Sequence, residues 1–503
     1  MFHNEDDVYV FNPDYVMRND SRRVVLFSGS KSNGLSAPDW ESFLHPVHAR
    51  IFSFFTYNRP LHVSISMLGE YLKRDSSIIR KIVLPYIENS TSVYSLYRGD
   101  KVLIPKNVIV NRKHITERVD FTELNPDVFD CRHIDVSTKR LYTGPQMLTF
   151  MLNNTCVTRC IYCYADKTTK VKRRIPSARL LELIDEAKTL PVRLINLAGG
   201  EIFLHPDWFI VLEKLVVSHL SPEYISTKHP LTGDIIHDIQ KTGFSNPLQI
   251  SLDACSSGLL QKSLSVKSDY LTNVLQGIKA LDRSGLKYRI NSVLTTFNTQ
   301  KEVIRELFRF ISELKNITDW RITPAVHSLW IEHHPCREIK PVKTDIEALF
   351  SYIESEIRPY ANIPILLNRE AINRKFNYCT SGSKDFKGVA CSALNSHLYI
   401  LPDGKATICE QLYWLPQFIT GDVSVNSISE VWNSPATRKL LNIERKDIPD
   451  SSPCKSCTLF EPCFNDRNRC WVDIVKAYGI ENLYNPDPRC AYAPPIKHNL
   501  DLL

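Results

Sequence analysis

The spacing of apolar positions changes character three times along the chain. In residues 1–110 short β-rich runs, Tyr9 to Phe11 and Arg23 to Phe27, flank a polar turn. Helical spacing follows over 46–57, where Val47, Ile51, Phe54 and Phe55 share a face. Two more helices are predicted over 63–72 and 76–86, the second with Ser76 as its N-cap. Runs at 93–97 and 102–104 flank Arg98-Gly99-Asp100, a hairpin signal. Strands, three short helices and a hairpin predict a winged-helix-like module.

From 146 to 330 apolar strands alternate with amphipathic helices. Strands are predicted at 148–153, 193–198, 224–227, 248–252, 288–294 and 320–323. Helices are predicted at 177–189, 206–219, 234–241, 270–284 and 301–314. Such alternation means a parallel sheet with right-handed crossovers. Six units predict an α/β fold, a partial (β/α)6 TIM-like barrel rather than a closed eight-strand one. Residues 111–145 lack a long period and read as a linker. Residues 331–390 read as a helical link. From 391 to 503 the periodicity is poor and lacks the pattern of an independent core, so metal is expected to hold the segment.

Composition narrows the class. Of 503 residues 43% are hydrophobic and 23% charged, which excludes wholesale disorder. The start Met-Phe-His-Asn-Glu-Asp-Asp has no basic or apolar segment of a signal peptide, and no run is long enough to span a membrane. A cytoplasmic protein is expected, in which clustered thiols favour metal over disulfides. The net charge of +7 is mild for this length. Residues 1–110 carry 13 Lys plus Arg against 11 Asp plus Glu, too little for a nucleic-acid surface. The basic run Lys167, Lys170, Lys172, Arg173 and Arg174 reads as a solvated loop or as a contact for an acidic peptide.

Fourteen cysteines carry the chemistry. Cys156, Cys160 and Cys163 form C-x3-C-x2-C directly after the first predicted barrel strand. Three thiolates on one loop can ligate three irons of a [4Fe–4S] cube and leave the fourth iron open. Zinc usually takes four ligands and fits less well. This loop resembles that of the radical SAM superfamily, where the open iron chelates S-adenosylmethionine and the cluster's electron releases a 5′-deoxyadenosyl radical. The aromatic residue before the third cysteine, Tyr162, belongs to the same pattern. So does Gly199-Gly200-Glu201 after the second strand: two glycines allow close approach to a ligand, and the resemblance implies that the motif holds the methionine amino group. Ser226 and Thr227 end the third strand, Ser251 and Asp253 the fourth, and Asn291 lies on the fifth. The resemblance implies cofactor contacts at these positions. One departure concerns an Arg that relatives often carry after the fourth strand; here only Lys262 and Lys267 follow.

The C-terminal cysteines read Cys391-x12-Gly404-x4-Cys409, then Cys454-x2-Cys457-x5-Cys463-x6-Cys470, then Cys490. This resembles the SPASM extension of peptide-modifying radical SAM enzymes, with six residues before Cys470 where the family has three. The resemblance implies two auxiliary iron–sulfur clusters. Cys391, Cys409 and Cys470 would hold the first, and Cys454, Cys457, Cys463 and Cys490 the second. The fourth ligand of the first is Cys379 or a substrate thiolate, or else the longer spacing changes the geometry of the site. Zinc knuckles are the alternative for C-x2-C-x5-C. Glu410, next to Cys409, matches the position of a catalytic base in some relatives. Cys131, Cys255 and Cys336 have no assignable role.

In this company the N-terminal module resembles a RiPP recognition element. Its leader groove is expected between the strand near Val24 and Phe27 and the helix near Ile78 and Leu84, by strand addition. The resemblance as a whole implies an oxidoreductase acting on a ribosomally made precursor peptide, with a thioether or carbon–carbon cross-link as product. The alternatives are formylglycine formation, as in sulfatase maturases, and peptide epimerisation. An electron donor such as a flavodoxin or ferredoxin is implied as a second partner; nucleic acid and membrane are not. The expected domains are thus 1–110 leader recognition, 111–145 linker, 146–330 radical SAM core, 331–390 helical link and 391–503 SPASM.

Overall fold

The computed structural model of the chain describes residues 4–29, 35–115, 123–326, 328–329, 339–369, 391–466 and 469–496. Two compact units are present. The first comprises Met1–Met147, Leu183–Leu194 and Ser218–Leu220; the second comprises Leu148–Glu182, Ile195–Val217 and Ser221–Leu503. Among the described residues no helix is long and apolar enough to cross a membrane.

The first unit runs β1 (Tyr9–Phe11), β2 (Tyr15–Asn19), β3 (Val24–Ser28), β4 (Glu41–Leu44), α1 (Pro46–Ser53), α2 (Leu61–Leu72), α3 (Ser76–Val83), β5 (Val93–Tyr97), β6 (Asp100–Ile104) and β7 (Ile109–Asn111). α1 and α2 turn Phe52, Leu61 and Leu68 onto Leu26 and Leu44 of the sheet, with Ile79 and Val83 of α3 closing the core. Asp75, not Ser76, caps α3: its carboxylate accepts from Ser77 N at 2.8 Å. A carboxylate one residue earlier does the same job and also complements the helix dipole. The hairpin β5–β6 turns on Arg98 and Gly99, both at positive φ (50° and 91°), as a two-residue turn requires.

Two expectations change here. β3 is the central strand of the antiparallel order β2-β3-β4, with both edges paired. All five of its residues are buried, so it cannot accept a leader strand. The region read as a linker is also tied down. Asp20 and Arg23 form a buried ion pair. Arg23 donates to the Arg140 carbonyl at 2.9 Å, and Asp20 accepts from Tyr142 N and Thr143 N at 2.7 and 2.8 Å. Side-chain clamps of this kind leave no mark on hydrophobic period.

The second unit alternates as expected: β8 (Met147–Asn153), α4 (Ser177–Ala187), β9 (Leu194–Gly199), α5 (Trp208–Val217), β10 (Ile225–Thr227), α6 (Gly233–Lys241), β11 (Leu248–Ser251), α7 (Ser257–Leu264), α8 (Tyr270–Ser284), β12 (Tyr288–Leu294), α9 (Lys301–Ser312) and β13 (Ile317–Pro324). Then come α10 (Lys343–Tyr352), β14 (Ile365–Leu367), β15 (His397–Ile400), β16 (Lys405–Thr407), β17 (Ile419–Asp422), α11 (Ile428–Trp432), α12 (Pro435–Leu441), α13 (Phe460–Asp466) and α14 (Trp471–Tyr478). β10 to β14 form one parallel sheet. Strand parity explains its two faces. Tyr288, Ile290, Ser292 and Leu294 of β12 are buried on one side, while Arg289, Asn291 and Val293 alternate onto the other. α9 covers the apolar face with Val303, Ile304, Leu307 and Ile311.

The partial barrel is therefore made of strands in two sheets. α7 was not expected, and β14 adds a parallel strand within the segment read as a helical link. Three residues are too few to show a period. The second sheet has the order β17-β16-β15-β8-β9, so the C-terminal strands extend the barrel from β8. His397 of β15 and Thr149 of β8 share a hydrogen bond at 2.8 Å, and burial pushes that imidazole down to about 4, so it stays neutral. The C-terminal segment also has a core, contrary to expectation. Ile408, Leu412, Phe418, Ile448, Phe460, Trp471 and Val475 pack together. Each short element contributes one or two of them, which no periodicity registers.

Candidate functional site

β8 ends at Asn153, and the cysteine loop begins there. The Asn153 side chain accepts from Thr155 N at 3.0 Å and donates to the Glu201 carbonyl at 2.9 Å. Gly200 N and Glu201 N donate to the carbonyls of Asn153 and Thr155, each at 2.7 Å. This tight lacing explains the glycine pair. A Cβ on Gly199 (φ +123°) would stand 2.2 Å from Asn153 O, and one on Gly200 would stand 1.8 Å from Thr155 O. The backbone that approaches so closely is that of the cysteine loop itself.

Glu201 is 1% exposed, and its carboxylate accepts from Thr227 Oγ1 at 2.8 Å, Lys228 N at 3.0 Å and Phe203 N at 3.4 Å. Burial raises its carboxyl; Thr227 and the two backbone donors offset part of that. Glu201 and Thr227 thus lock the end of β10 beside the loop. From the other side the C-terminal end of α7 holds the loop: Arg159 N and Ile161 N donate to the carbonyls of Leu264 and Ser263 at 2.8 and 3.0 Å. Thr158 Oγ1 lies 3.5 Å from Cys156 Sγ and 3.1 Å from Cys160 Sγ. Burial pushes the Cys160 thiol up, with the positive charge of Lys228 working against it.

Tyr162 Oη donates to Asp253 Oδ2, and Val293 N donates to Asp253 Oδ1 at 2.8 Å. Between them stands a residue that the sequence reading passed over. The Lys228 ammonium is removed from solvent, 3.6 Å from Asp253 Oδ2 and 5.4 Å from the centre of the Tyr162 ring. It has no hydrogen-bond partner among the described residues. Burial opposes its charge, but Asp253 and the three cysteines outweigh that and hold its pKa above the ordinary value. Tyr270 Oη fixes its backbone carbonyl at 2.7 Å. The only sequence signal was the polar end of the third strand, Ser-Thr-Lys. Lys262 and Lys267 are exposed. Ser251 lies opposite Asn291 in the β11–β12 register, and Ser226 Oγ accepts from Gln249 Nε2 at 3.1 Å.

The second cysteine group is built on a hairpin. Gly404 turns β15 into β16 at φ +90°, and a Cβ there would meet Asp422 Oδ1 and Ser424 Cβ at 3.0 Å. The hairpin therefore sets Cys391, before β15, and Cys409, after β16, at the same end. Burial pushes the Cys409 thiol up to about 12. Cys470 caps α14, its N–H donating to Asp487 Oδ2 at 3.0 Å. Arg489 bridges Asp487 and Asp473, at 2.7 and 3.0 Å. Cys454, Cys457, Cys463 and Cys490 all wall a single pocket. Cys336 and Cys379 lie outside the described residues. Cys131 and Cys255 are half-buried thiols, each pushed up to about 11 by burial.

Glu410 joins the two groups. Tyr164, directly after Cys163, donates to Glu410 Oε2 at 3.4 Å. Burial raises the Glu410 carboxyl, and the Tyr164 bond offsets part of this. The Glu410 charge is the largest influence raising Tyr164; for Tyr224, Tyr399 and Tyr413 burial comes first and Glu410 adds to it. Four phenols thus feel the charge of one half-buried carboxylate.

The donor set fits iron–sulfur cubes: three thiols on one half-buried loop, beside an enclosed ammonium that makes no hydrogen bond among the described residues, and four thiols around one pocket. No three Cys, His, Asp or Glu side chains among the described residues converge on a single-ion site. Thiolates on a four-iron cube stand further apart than the four ligands of one zinc.

Comparison with known proteins agrees. The model of the radical SAM superfamily matches residues 151–311, and that of SPASM, an iron–sulfur cluster-binding domain, matches residues 391–458. Mycofactocin maturase MftC of Mycobacterium tuberculosis is 23% identical over 352 residues, 69% of this chain and 83% of its own length. A probable GTP 3′,8-cyclase of Methanothermobacter thermautotrophicus is 23% identical over 270 residues, 52% of this chain and 83% of its own. The crystal structure of Streptococcus suis SuiB bound to precursor peptide SuiA superposes with a TM-score of 0.60 at 17% identity, over 96% of this chain and 99% of that one. SuiB bound to S-adenosylmethionine gives 0.59 at 16%. These domains bring a [4Fe–4S] cluster, S-adenosylmethionine and auxiliary iron–sulfur clusters as cofactors. Motif and domain content converge: residues 151–311 match the radical SAM superfamily and residues 391–458 the SPASM domain, on a fold shared with SuiB.

Proposed function

We propose that this protein is an oxidoreductase that matures a ribosomally made precursor peptide, forming a thioether or carbon–carbon cross-link in its core. The observation that carries the reading is Glu410: a half-buried carboxylate adjacent to Cys409 and bonded to Tyr164, the neighbour of Cys163. A peptide held between the cysteine groups would meet its base there. The names of two similar proteins, a peptide maturase and SuiB with its precursor peptide, support a peptide substrate.

In this reading Cys156, Cys160 and Cys163 hold the radical-generating cluster. Cys391, Cys409 and Cys470 hold the first auxiliary cluster, and Cys454, Cys457, Cys463 and Cys490 the second. When bound, these groups supply a 5′-deoxyadenosyl radical that takes a hydrogen atom from the peptide, and an acceptor for one electron. Glu410 takes the proton, so the peptide loses two hydrogens in total. Reducing electrons would come from a flavodoxin or ferredoxin. The first unit would take the leader; since β3 has no free edge, strand addition would need a strand paired on one side only among the described residues, such as β2, β4, β5 or β6.

Lys228 would hold the methionine carboxylate, the contact that Lys262 and Lys267 leave open. Lys228→Met should weaken S-adenosylmethionine binding about tenfold to a hundredfold, the worth of a charged hydrogen bond. Equilibrium dialysis of the reconstituted protein reads this without turnover, and an unchanged affinity removes the assignment.

Co-expression with the candidate precursor tests the function. A peptide lighter by two hydrogens, with fragment ions spanning two linked residues, is expected. Unchanged mass with an inverted centre would establish an epimerase instead. Loss of sulfur from a cysteine with gain of an aldehyde would establish formylglycine formation. An unaltered peptide would refute all three.

A further inference from the structure

The stretch between Cys463 and Cys470 is longer than the SPASM spacing, and its last residue is Arg469. Arg469 lines the same pocket as Cys454, Cys457, Cys463 and Cys490. Its guanidinium lies over the rings of Phe464 and Trp471, 4.6 and 4.8 Å from their centres. One terminal nitrogen, Nη2, donates to the carbonyls of Asn485 and, at 3.5 Å, Leu483. The other, Nη1, is buried and has no hydrogen-bond partner among the described residues.

This arrangement is costly unless something completes it. A buried guanidinium stays charged, and a buried donor without an acceptor costs about 1–3 kcal/mol or more. The nearby carboxylate, Asp487, is already committed to Arg489 and Cys470 N. Among the other side chains lining the pocket, the acceptors are the four cysteine sulfurs and the Tyr492 hydroxyl, so sulfur predominates. Two aromatic walls and two carbonyl bonds hold the guanidinium there, so it cannot swing out to water.

We infer that Arg469 tunes the second auxiliary cluster, donating Nη1–H to its sulfur and raising its reduction potential so that it accepts electrons more readily. Hydrogen bonds to cluster sulfur and positive charge nearby both stabilise the reduced, more negative state. The inference rests on the assignment of Cys454, Cys457, Cys463 and Cys490 as that cluster's ligands. It also gives the longer spacing before Cys470 a purpose: it carries a cation to the pocket.

The test is a redox titration followed by electron paramagnetic resonance on the full-length, anaerobically reconstituted protein. In Arg469→Gln the reduced-to-oxidised ratio of this cluster, poised at the wild-type midpoint, should fall about tenfold, which is about 59 mV for a one-electron couple. The other clusters' midpoints should stay put, and iron content should match wild type. Arg469→Lys keeps the charge but loses the fork, so a smaller shift in the same direction is expected; it also serves if the Gln variant does not assemble. A midpoint at or above wild type in either variant overturns the inference. Cys463→Ala tests the underlying assignment separately: retention of full iron there would show that the four cysteines do not share a cluster.

Discussion

Cys160→Ala is expected to abolish 5′-deoxyadenosine formation from S-adenosylmethionine and to remove one cluster's iron, from roughly 12 to roughly 8 atoms per chain if three [4Fe–4S] clusters assemble. The site offers no substitute ligand. Thr158 lies 3.1 Å from the Cys160 thiol but carries only a neutral hydroxyl, and Lys228 is a cation. Two remaining thiolates cannot hold three irons. The fold should survive, because the loop is laced by backbone bonds from Gly200, Glu201, Arg159 and Ile161 that do not involve the sulfur. Circular dichroism should therefore match wild type while the iron assay falls. Undiminished cleavage, or zinc in place of iron, would defeat the radical SAM assignment of this loop.

Glu410→Gln separates two steps that Cys160→Ala removes together. Glutamine keeps the shape and can still accept from Tyr164, but it cannot take a proton. S-adenosylmethionine cleavage should stay within a few-fold of wild type while cross-linked peptide falls about a hundredfold or more, the usual worth of a general base. That corresponds to about 2.7 kcal/mol of transition-state stabilisation. Mass spectrometry of the peptide beside chromatography of 5′-deoxyadenosine gives both numbers from one reaction. Equal losses in the two would mean that Glu410 shapes the site rather than receiving the proton. Full product formation would move the base elsewhere.

The two outcomes bear on how far sequence reaches. The cysteine loop was legible because its ligands are neighbours in the chain and need only spacing. Glu410 was legible only as the residue after Cys409. Its bond to Tyr164, 246 positions away, was not. The Gly199-Gly200 pair was legible as a place of close approach. Its missing side chains make room for Asn153 and Thr155, and the sequence does not say which backbone draws near. Glu201 was legible as a carboxylate suited to an ammonium, but not the three protein donors that engage it. Lys228 was overlooked because nothing in Ser-Thr-Lys distinguishes a solvated lysine from one enclosed by Asp253, Tyr162 and three thiols.

What the sequence alone determined is whatever depends on local order: the alternation of strands and helices from β8 to β13, the cysteine spacings and the absence of an apolar span. Periods of two and 3.6 residues arise from backbone geometry, so they can be read one segment at a time. Only the tertiary structure decided which side chains lose water and which groups then meet. It closed both edges of β3, built a core from the scattered residues Ile408 to Val475, and brought Arg469 to the four-cysteine pocket. Burial and partnership are set by packing between distant segments, and the free energy of a charge depends on that enclosure far more than on its neighbours in the chain.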